Sequence, residues 1–147
     1  EPFWSNVDKR ITKTPKIYFM DTGLVCYLTR WTTPEQLRCG AVAGHVFETF
    51  VVSEVLKSYM NAGAEMRDLW FYRDAKKREI DLIIQEGHVL HPVEIKMAAT
   101  VDKDDIGSFR MLEGFKDYEV GFGHVVCQTP KPYMIAQDVQ AVPVWDI

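Results

Sequence analysis

The stretch EIDLIIQEGHVLHPVEIK, Glu79 to Lys96, sets three carboxylates and a lysine (Glu79, Asp81, Glu94 and Lys96) into what otherwise reads as sheet. EIDLIIQ and HVLHPVEIKM alternate polar and β-branched or aliphatic residues, the pattern of half-buried strands. Glu86-Gly87 suits a two-residue hairpin loop, with Gly supplying the positive φ. That turn pairs Gln85 with His88, sets Asp81 opposite Pro92 and Glu79 opposite Glu94. Side chains alternate across a strand. Glu79, Asp81 and Ile83 then share a face with Pro92, Glu94 and Lys96, while Ile80, Leu82, Ile84, Val93 and Ile95 form the core-facing side. Asp81 and Glu94 become diagonal neighbours about 7–8 Å apart. From there two side chains can reach one Mg²⁺ with ligand distances of about 2.0–2.1 Å. Pro92 has no N–H for a ladder, so pairing is expected to loosen beside Asp81. The alternative is an exposed charged face, with Glu79, Glu94 and Lys96 solvated or paired across strands.

A further carboxylate stands upstream. Positions 42–61 carry a helical pattern, and Gly63 is a natural stop. On a helical wheel Glu54, Lys57, Ser58 and Asn61 gather in one polar stripe. Glu48 falls away from it, among Val51, Val52, Val55 and Tyr59. An ionised carboxylate in an apolar stripe is costly unless it is paired with Arg or Lys or bound to a metal. Both explanations remain open. A helix packed on the strands would aim Glu48 at the Asp81–Glu94 face.

The elements that must position these groups follow in order. The first ~15 residues are polar and poor in pattern. Ile17 to Met20 is a short β-like run, and Asp21 is an N-cap for a short helix to about Leu28. TTPEQLRCG reads as a loop or a short helical turn. After the helix over 42–61 come the strands LWFYR (Leu69 to Arg73), Glu79 to Gln85, and His88 to Met97. DKDDIGSFRMLEGF reads as a helix with Gly114 near its end; Lys103 or Arg110 on it suits either a phosphate contact or a solvated surface. Glu119 to Cys127 is another strand, and PYMIA and AVPVWDI are short strands. The order helix, three strands, helix, strand predicts an α/β (α+β) fold whose antiparallel three-stranded meander is covered by helices. An N-terminal extension with a short strand and helix spans 1–41, and the main domain spans 42–147.

Bulk properties exclude several classes. With 147 residues, 47% of them hydrophobic, the chain suits one domain with a core. No apolar run reaches the roughly 18 residues of a membrane span, and EPFWSNVDKR lacks the apolar centre of a signal peptide. A cytoplasmic protein without membrane contact is expected, and the start in mid-phrase predicts a piece of a longer protein. Cys26, Cys39 and Cys127 are scattered, which suits reduced thiols and excludes a CxxC metal site. The four histidines show no paired-ligand spacing. A net charge of −4 argues against strong autonomous duplex binding. RDAKKRE and KRITKTPK are local basic stretches that suit a patch or a solvated loop.

A helix Glu (Glu48), a strand Asp (Asp81) and Glu-x-Lys on the next strand (Glu94-Ile95-Lys96) resemble the signature of the PD-(D/E)xK, restriction-endonuclease-like superfamily. The longer run KTPKIYFMDTGL, GHVFE, YRDAKKREID and EIK resembles the C-terminal domain of unknown function attached to bacterial and archaeal AAA-type ATPases, over about 130 residues. The resemblance implies a restriction-endonuclease-like core. Asp81 and Glu94, with the Ile95 carbonyl, would hold Mg²⁺ or Mn²⁺, and Glu48 would complete the metal site. Lys96 would orient or deprotonate the attacking water. Glu79 would be a spare ligand or a partner of Lys96. The implied substrate is nucleic acid, DNA before RNA, and the implied partner is the ATPase part of the same protein. ATP would bind only in that part, since no GxxxxGK[ST] occurs here. Two other roles stay open: a non-catalytic module that binds nucleic acid or a partner and regulates the ATPase, and a structural domain whose aromatic residues support homo-oligomerisation.

Overall fold

The computed structural model describes residues 1–3, 15–63 and 68–147; most of the basic stretch KRITKTPK lies outside them. Helix α1 (Thr22–Leu28) opens on Asp21, whose side chain accepts from the Leu24 N–H at 3.0 Å. Helix α2 (Pro34–Cys39) starts at a Thr33 cap with Pro in its first turn. Helix α3 (Ala43–Asn61) is the long one, and it stops at Gly63, whose φ of +71° only glycine adopts readily. Ile17–Met20, expected as a strand, runs without helix or strand. Of its residues Tyr18 packs beside α3 through its side chain, while Ile17 and Phe19 are exposed.

Seven strands form one mixed sheet: β1 (Leu69–Arg73), β2 (Glu79–Glu86), β3 (Val89–Ile95), β4 (Glu119–Val120), β5 (Gly123–Cys127), β6 (Tyr133–Ala136) and β7 (Val139–Pro143). The order is β1-β2-β3-β5-β7-β6, with β4 beside β3. β1, β2 and β3 form the expected antiparallel meander. β3, β5 and β7 then run parallel, and β6 returns antiparallel to β7. The strand expected over 119–127 is divided. Gly121 passes so close to His91 and Val89 that a Cβ there would sit 2.7 Å from His91 Nδ1, and the chain leaves β4 at this point. The helix expected from Lys103 is replaced by turns and a 3₁₀ segment (Phe109–Gly114). Asp102 and Asp105 explain why. Their carboxylates accept from the Asp104 and Asp102 N–H groups at 2.8 and 3.0 Å, offering the backbone partners that compete with a helix.

Two apolar layers cover the sheet. On one face α3 lays Val51 and Val52 against Leu69, Leu82, Val93, Ile95 and Val126. On the other, Phe109 and Leu112 pack with Tyr72, Ile80, Ile83, Leu90 and Val125. Phe3, from the segment expected as an extension, is fully buried in this second layer, and its N–H donates to the Phe71 carbonyl.

The β2–β3 register departs from the expected one. Glu86 faces Val89 and Ile83 faces Pro92, so the turn is Gly87-His88, with Gly87 at φ +62°. The slip is two residues, which keeps the side-chain parity. Pro92 therefore opposes Ile83 and does not loosen the strands at Asp81. A second departure does change parity. Against β1, Ile83 faces Trp70 but Ile80 faces Tyr72. Asp81 and Leu82 together oppose the single residue Phe71, which is a β-bulge. The bulge turns Ile80 onto the Ile83 side, where both are fully buried, and leaves Leu82 on the α3 side. Ile80, expected beside Leu82 and Ile84, is on the opposite layer for this reason.

Candidate functional site

The β2–β3 ladder ends at Leu82–Val93. Beyond it Asp81 Oδ2 accepts from the Ile95 N–H at 3.0 Å, a side chain standing where a main-chain carbonyl would otherwise bond. This opened end of the sheet, the first turns of α3 and the segment Lys16–Tyr18 line one open cavity of about 750 Å³. Glu48, Asp81, Glu94 and Lys96 all border it, as do Glu79, His45 and Arg73.

The bulge has a direct consequence for the carboxylates. Glu79 is brought to the side of α3, and oxygens of Glu48, Glu79 and Asp81 lie within 4.8 Å of one another. Glu79 is thus not a partner of Lys96. Lys96 Nζ instead sits 2.8 Å from Glu94 Oε1. Glu94 is only 7% exposed, and among the described residues its other oxygen, Oε2, has no hydrogen-bond partner. Glu48 is half-buried on the helix that buries Val51 and Val52, and it pairs with a lysine.

The partner is Lys16, which sequence reasoning did not assign. Its ammonium lies 2.8 Å from Glu48 Oε1, touches Glu79 Oε1, and is 3.7 Å from Asp81 Oδ1. The Tyr18 hydroxyl donates to the same Glu48 oxygen at 2.8 Å. Arg73 Nε reaches Glu79 Oε2 at 3.7 Å. The signal for Lys16 was present twice: an uncompensated Glu48 demanded a cation, and Lys16 and Tyr18 sit inside the KTPKIYF motif.

Titration follows from this geometry. Burial raises the Asp81 pKa, the Glu48 charge adds to it, and Lys16 and the Ile95 N–H oppose. Burial pushes Glu94 up to about 7, with the Asp81 charge adding and Lys96 opposing. Burial works to lower the Lys96 pKa, but the Glu94 hydrogen bond and charge outweigh it, and the net direction is up. Lys16 follows the same logic: desolvation lowers it, and the bonds to Glu48 and Glu79 more than reverse that. Burial raises the Tyr18 phenol. Both lysines are therefore held as ammonium ions, and even beside them burial and mutual repulsion make the Asp81–Glu94 pair resist carrying two charges.

Among the described residues no helix is long and apolar enough to cross a membrane. Residues 43–147 match the model of a family described as a domain of unknown function (DUF4143), and residues 1–35 match a second one (DUF8612). No curated protein and no solved structure shows a match to the chain.

Proposed function

The chain belongs to the DUF4143 family of domains of unknown function, and from the site it carries we propose that it is a metal-dependent, nuclease-like domain that hydrolyses phosphodiester bonds. One observation carries the reading: a buried carboxylate oxygen, Glu94 Oε2, that has no hydrogen-bond partner among the described residues, beside Asp81 and in a side chain whose other oxygen meets the Lys96 ammonium. A buried carboxylate oxygen without a hydrogen bond is costly even when its twin oxygen is paired, and an incoming cation removes the cost. The donors are all oxygen, which suits Mg²⁺ or Mn²⁺. The motif Glu48, Asp81, Glu94-Ile95-Lys96 and the meander behind it support a restriction-endonuclease-like core, and the KTPKIYFMDTGL run supports a place beside an AAA-type ATPase.

Asp81 and Glu94 would hold the cation, which when bound polarises the phosphodiester and lowers the pKa of the attacking water. Lys96 is held as an ammonium ion by Glu94, so it acts as a donor: it orients the water and sets positive charge against the charge growing on phosphorus. It is not the base. Glu48 and Glu79 hold the floor of the cavity through Lys16. DNA is the proposed substrate; Arg73 and His45 line the approach to the site.

Calorimetry of Mn²⁺ into the wild type and the Asp81→Ala variant tests the metal site, and cleavage of plasmid DNA by wild type and Lys96→Ala tests the chemistry. Binding abolished by Asp81→Ala, with cleavage lost in Lys96→Ala, is expected. Cleavage that survives both substitutions refutes the assignment. A regulatory binding module is the second reading, favoured by the Lys16 bonds that already neutralise part of the cluster; DNA binding without turnover and unchanged in Asp81→Ala selects it.

A further inference from the structure

The cluster divides into two unequal halves. Glu48 and Glu79 share the Lys16 ammonium, and the Tyr18 hydroxyl holds Glu48 from a second direction. Asp81 borders both halves, with Oδ1 3.7 Å from the Lys16 ammonium, and Glu94 lies on the other, where its Oε2 has no partner among the described residues. Phosphodiester-cleaving centres often hold two divalent ions about 3.5–4 Å apart. The oxygens of Glu48, Glu79 and Asp81, all within 4.8 Å of one another, are close enough to hold one of them. That place is filled by an amine.

We propose that Lys16 is the resident cation of the Glu48–Glu79 half: it stands in for one divalent ion and confines metal binding to Asp81 and Glu94. The inference rests on the reading that the centre takes a divalent cation. The physical asymmetry is clear. An ion entering beside Glu48 must strip an ammonium from the carboxylates it touches and break the order that Tyr18 imposes. An ion entering beside Glu94 meets Oε2, which has no partner among the described residues, and can leave the Lys96 ammonium on Oε1. Hard divalent cations give up their water reluctantly, so the half with an unanswered carboxylate oxygen is favoured. Lys16 is then a positioning residue. It fixes Glu48 and Glu79, which in turn bound the wall against which Asp81 sits, and it makes this a one-ion centre.

Counting bound ions tests this where activity alone would not. Mn²⁺ is titrated calorimetrically into the wild type and into Lys16→Met, which removes the amine and keeps the length. The variant is expected to bind one ion more than the wild type. One ion in the wild type and two in the variant upholds both readings. None in the wild type and one in the variant upholds the role of Lys16 and sinks the metal-dependent reading. Equal counts overturn the role of Lys16 whatever the count is, and two ions in the wild type do the same. Should Lys16→Met fail to fold, amine labelling of the wild type read by mass spectrometry decides, with exposed Lys131 as the internal reference. Lys16 protected both with and without Mn²⁺ upholds the proposal. Lys16 that becomes reactive when Mn²⁺ is added has been displaced, and the proposal falls.

Discussion

Glu94 makes the metal-free protein less stable as pH rises, and this is measurable. The side chain is only 10% exposed, Oε2 has no partner among the described residues, and burial followed by the Asp81 charge raises its pKa from 4.5 to about 7. The unfolded chain releases this proton near 4.5, whereas the folded chain keeps it until about pH 7. Between those values the folded state binds more protons, so stability is full below 4.5 and is lost as pH rises through 7. At about 1.4 kcal/mol per pH unit the loss approaches roughly 3 kcal/mol. Asp81, also raised, adds a loss of the same sign. The assay is urea unfolding in the presence of a chelator between pH 5 and pH 8, wild type beside Glu94→Gln. The glutamine keeps a carbonyl for Lys96 and removes the titration. The difference between the two proteins should open steadily toward pH 7 and then level off, with the variant the more stable at pH 8. Mn²⁺ at pH 8 should restore the wild type, since it binds only the folded state, and should leave the variant less affected. Parallel pH profiles for the two proteins would refute the account of Glu94, and with it the physical reason for placing a cation there.

His124 works in the opposite direction. Burial and then the His91 charge lower its pKa, so its contribution is present above the unfolded value near 6.5 and is lost as pH falls through the lower folded value; His124→Gln should flatten the acid limb of the same unfolding series. Phe3 is fully buried and meets the rings of Trp70, Phe115 and Tyr118 edge-on at 6.2, 5.1 and 5.2 Å. Phe3→Ala should cost about 3–5 kcal/mol in chemical denaturation, and a loss under 1 kcal/mol would mean that the N-terminal residues are not part of the core. Gly121→Ala forces a methyl against the His91 ring and Val89 and should cost about 1–3 kcal/mol, visible as a lowered Tm; an unchanged Tm would contradict the tight passage between β4 and β5.

Periodicity made the three-stranded meander, α3 and the Asp21 cap legible, because each rests on local pattern. The carboxylates were legible as a group for the same reason: Glu48 violates its stripe, and alternation sets Asp81 and Glu94 on one face of the hairpin. What was not legible is how they meet. Alternation alone put Glu79 beside Lys96. The bulge at Asp81-Leu82 changes the parity of everything before it in β2, and no residue in EIDLII announces it. The register slip of two was hidden because Glu86-Gly87 and Gly87-His88 both suit a turn containing Gly87. The helix expected after Lys103 failed for a reason that is visible in retrospect: the Asp102 and Asp105 carboxylates bond to the backbone in place of a helical ladder.

Lys16 shows why a site assembled from distant pieces escapes pattern reading while remaining physically necessary. The three carboxylates that approach within 4.8 Å come from α3 and β2, and an unanswered group of that charge would oppose the docking of α3 on the sheet. The cation that answers it arrives from a segment with neither helix nor strand, so no periodicity marks it. That segment can hold its course because its anchors are side chains: Lys16 on Glu48 and Glu79, Tyr18 on Glu48. The dependence runs both ways. Removing Lys16 takes the shared ammonium from three half-buried carboxylates, which is destabilising, and removing Glu48 takes away an acceptor shared by the ammonium and the phenol. The same two residues that let α3 settle against β2 thereby decide how much of the acidic cluster remains open to a metal ion, and folding and chemistry at this end of the sheet draw on one set of contacts.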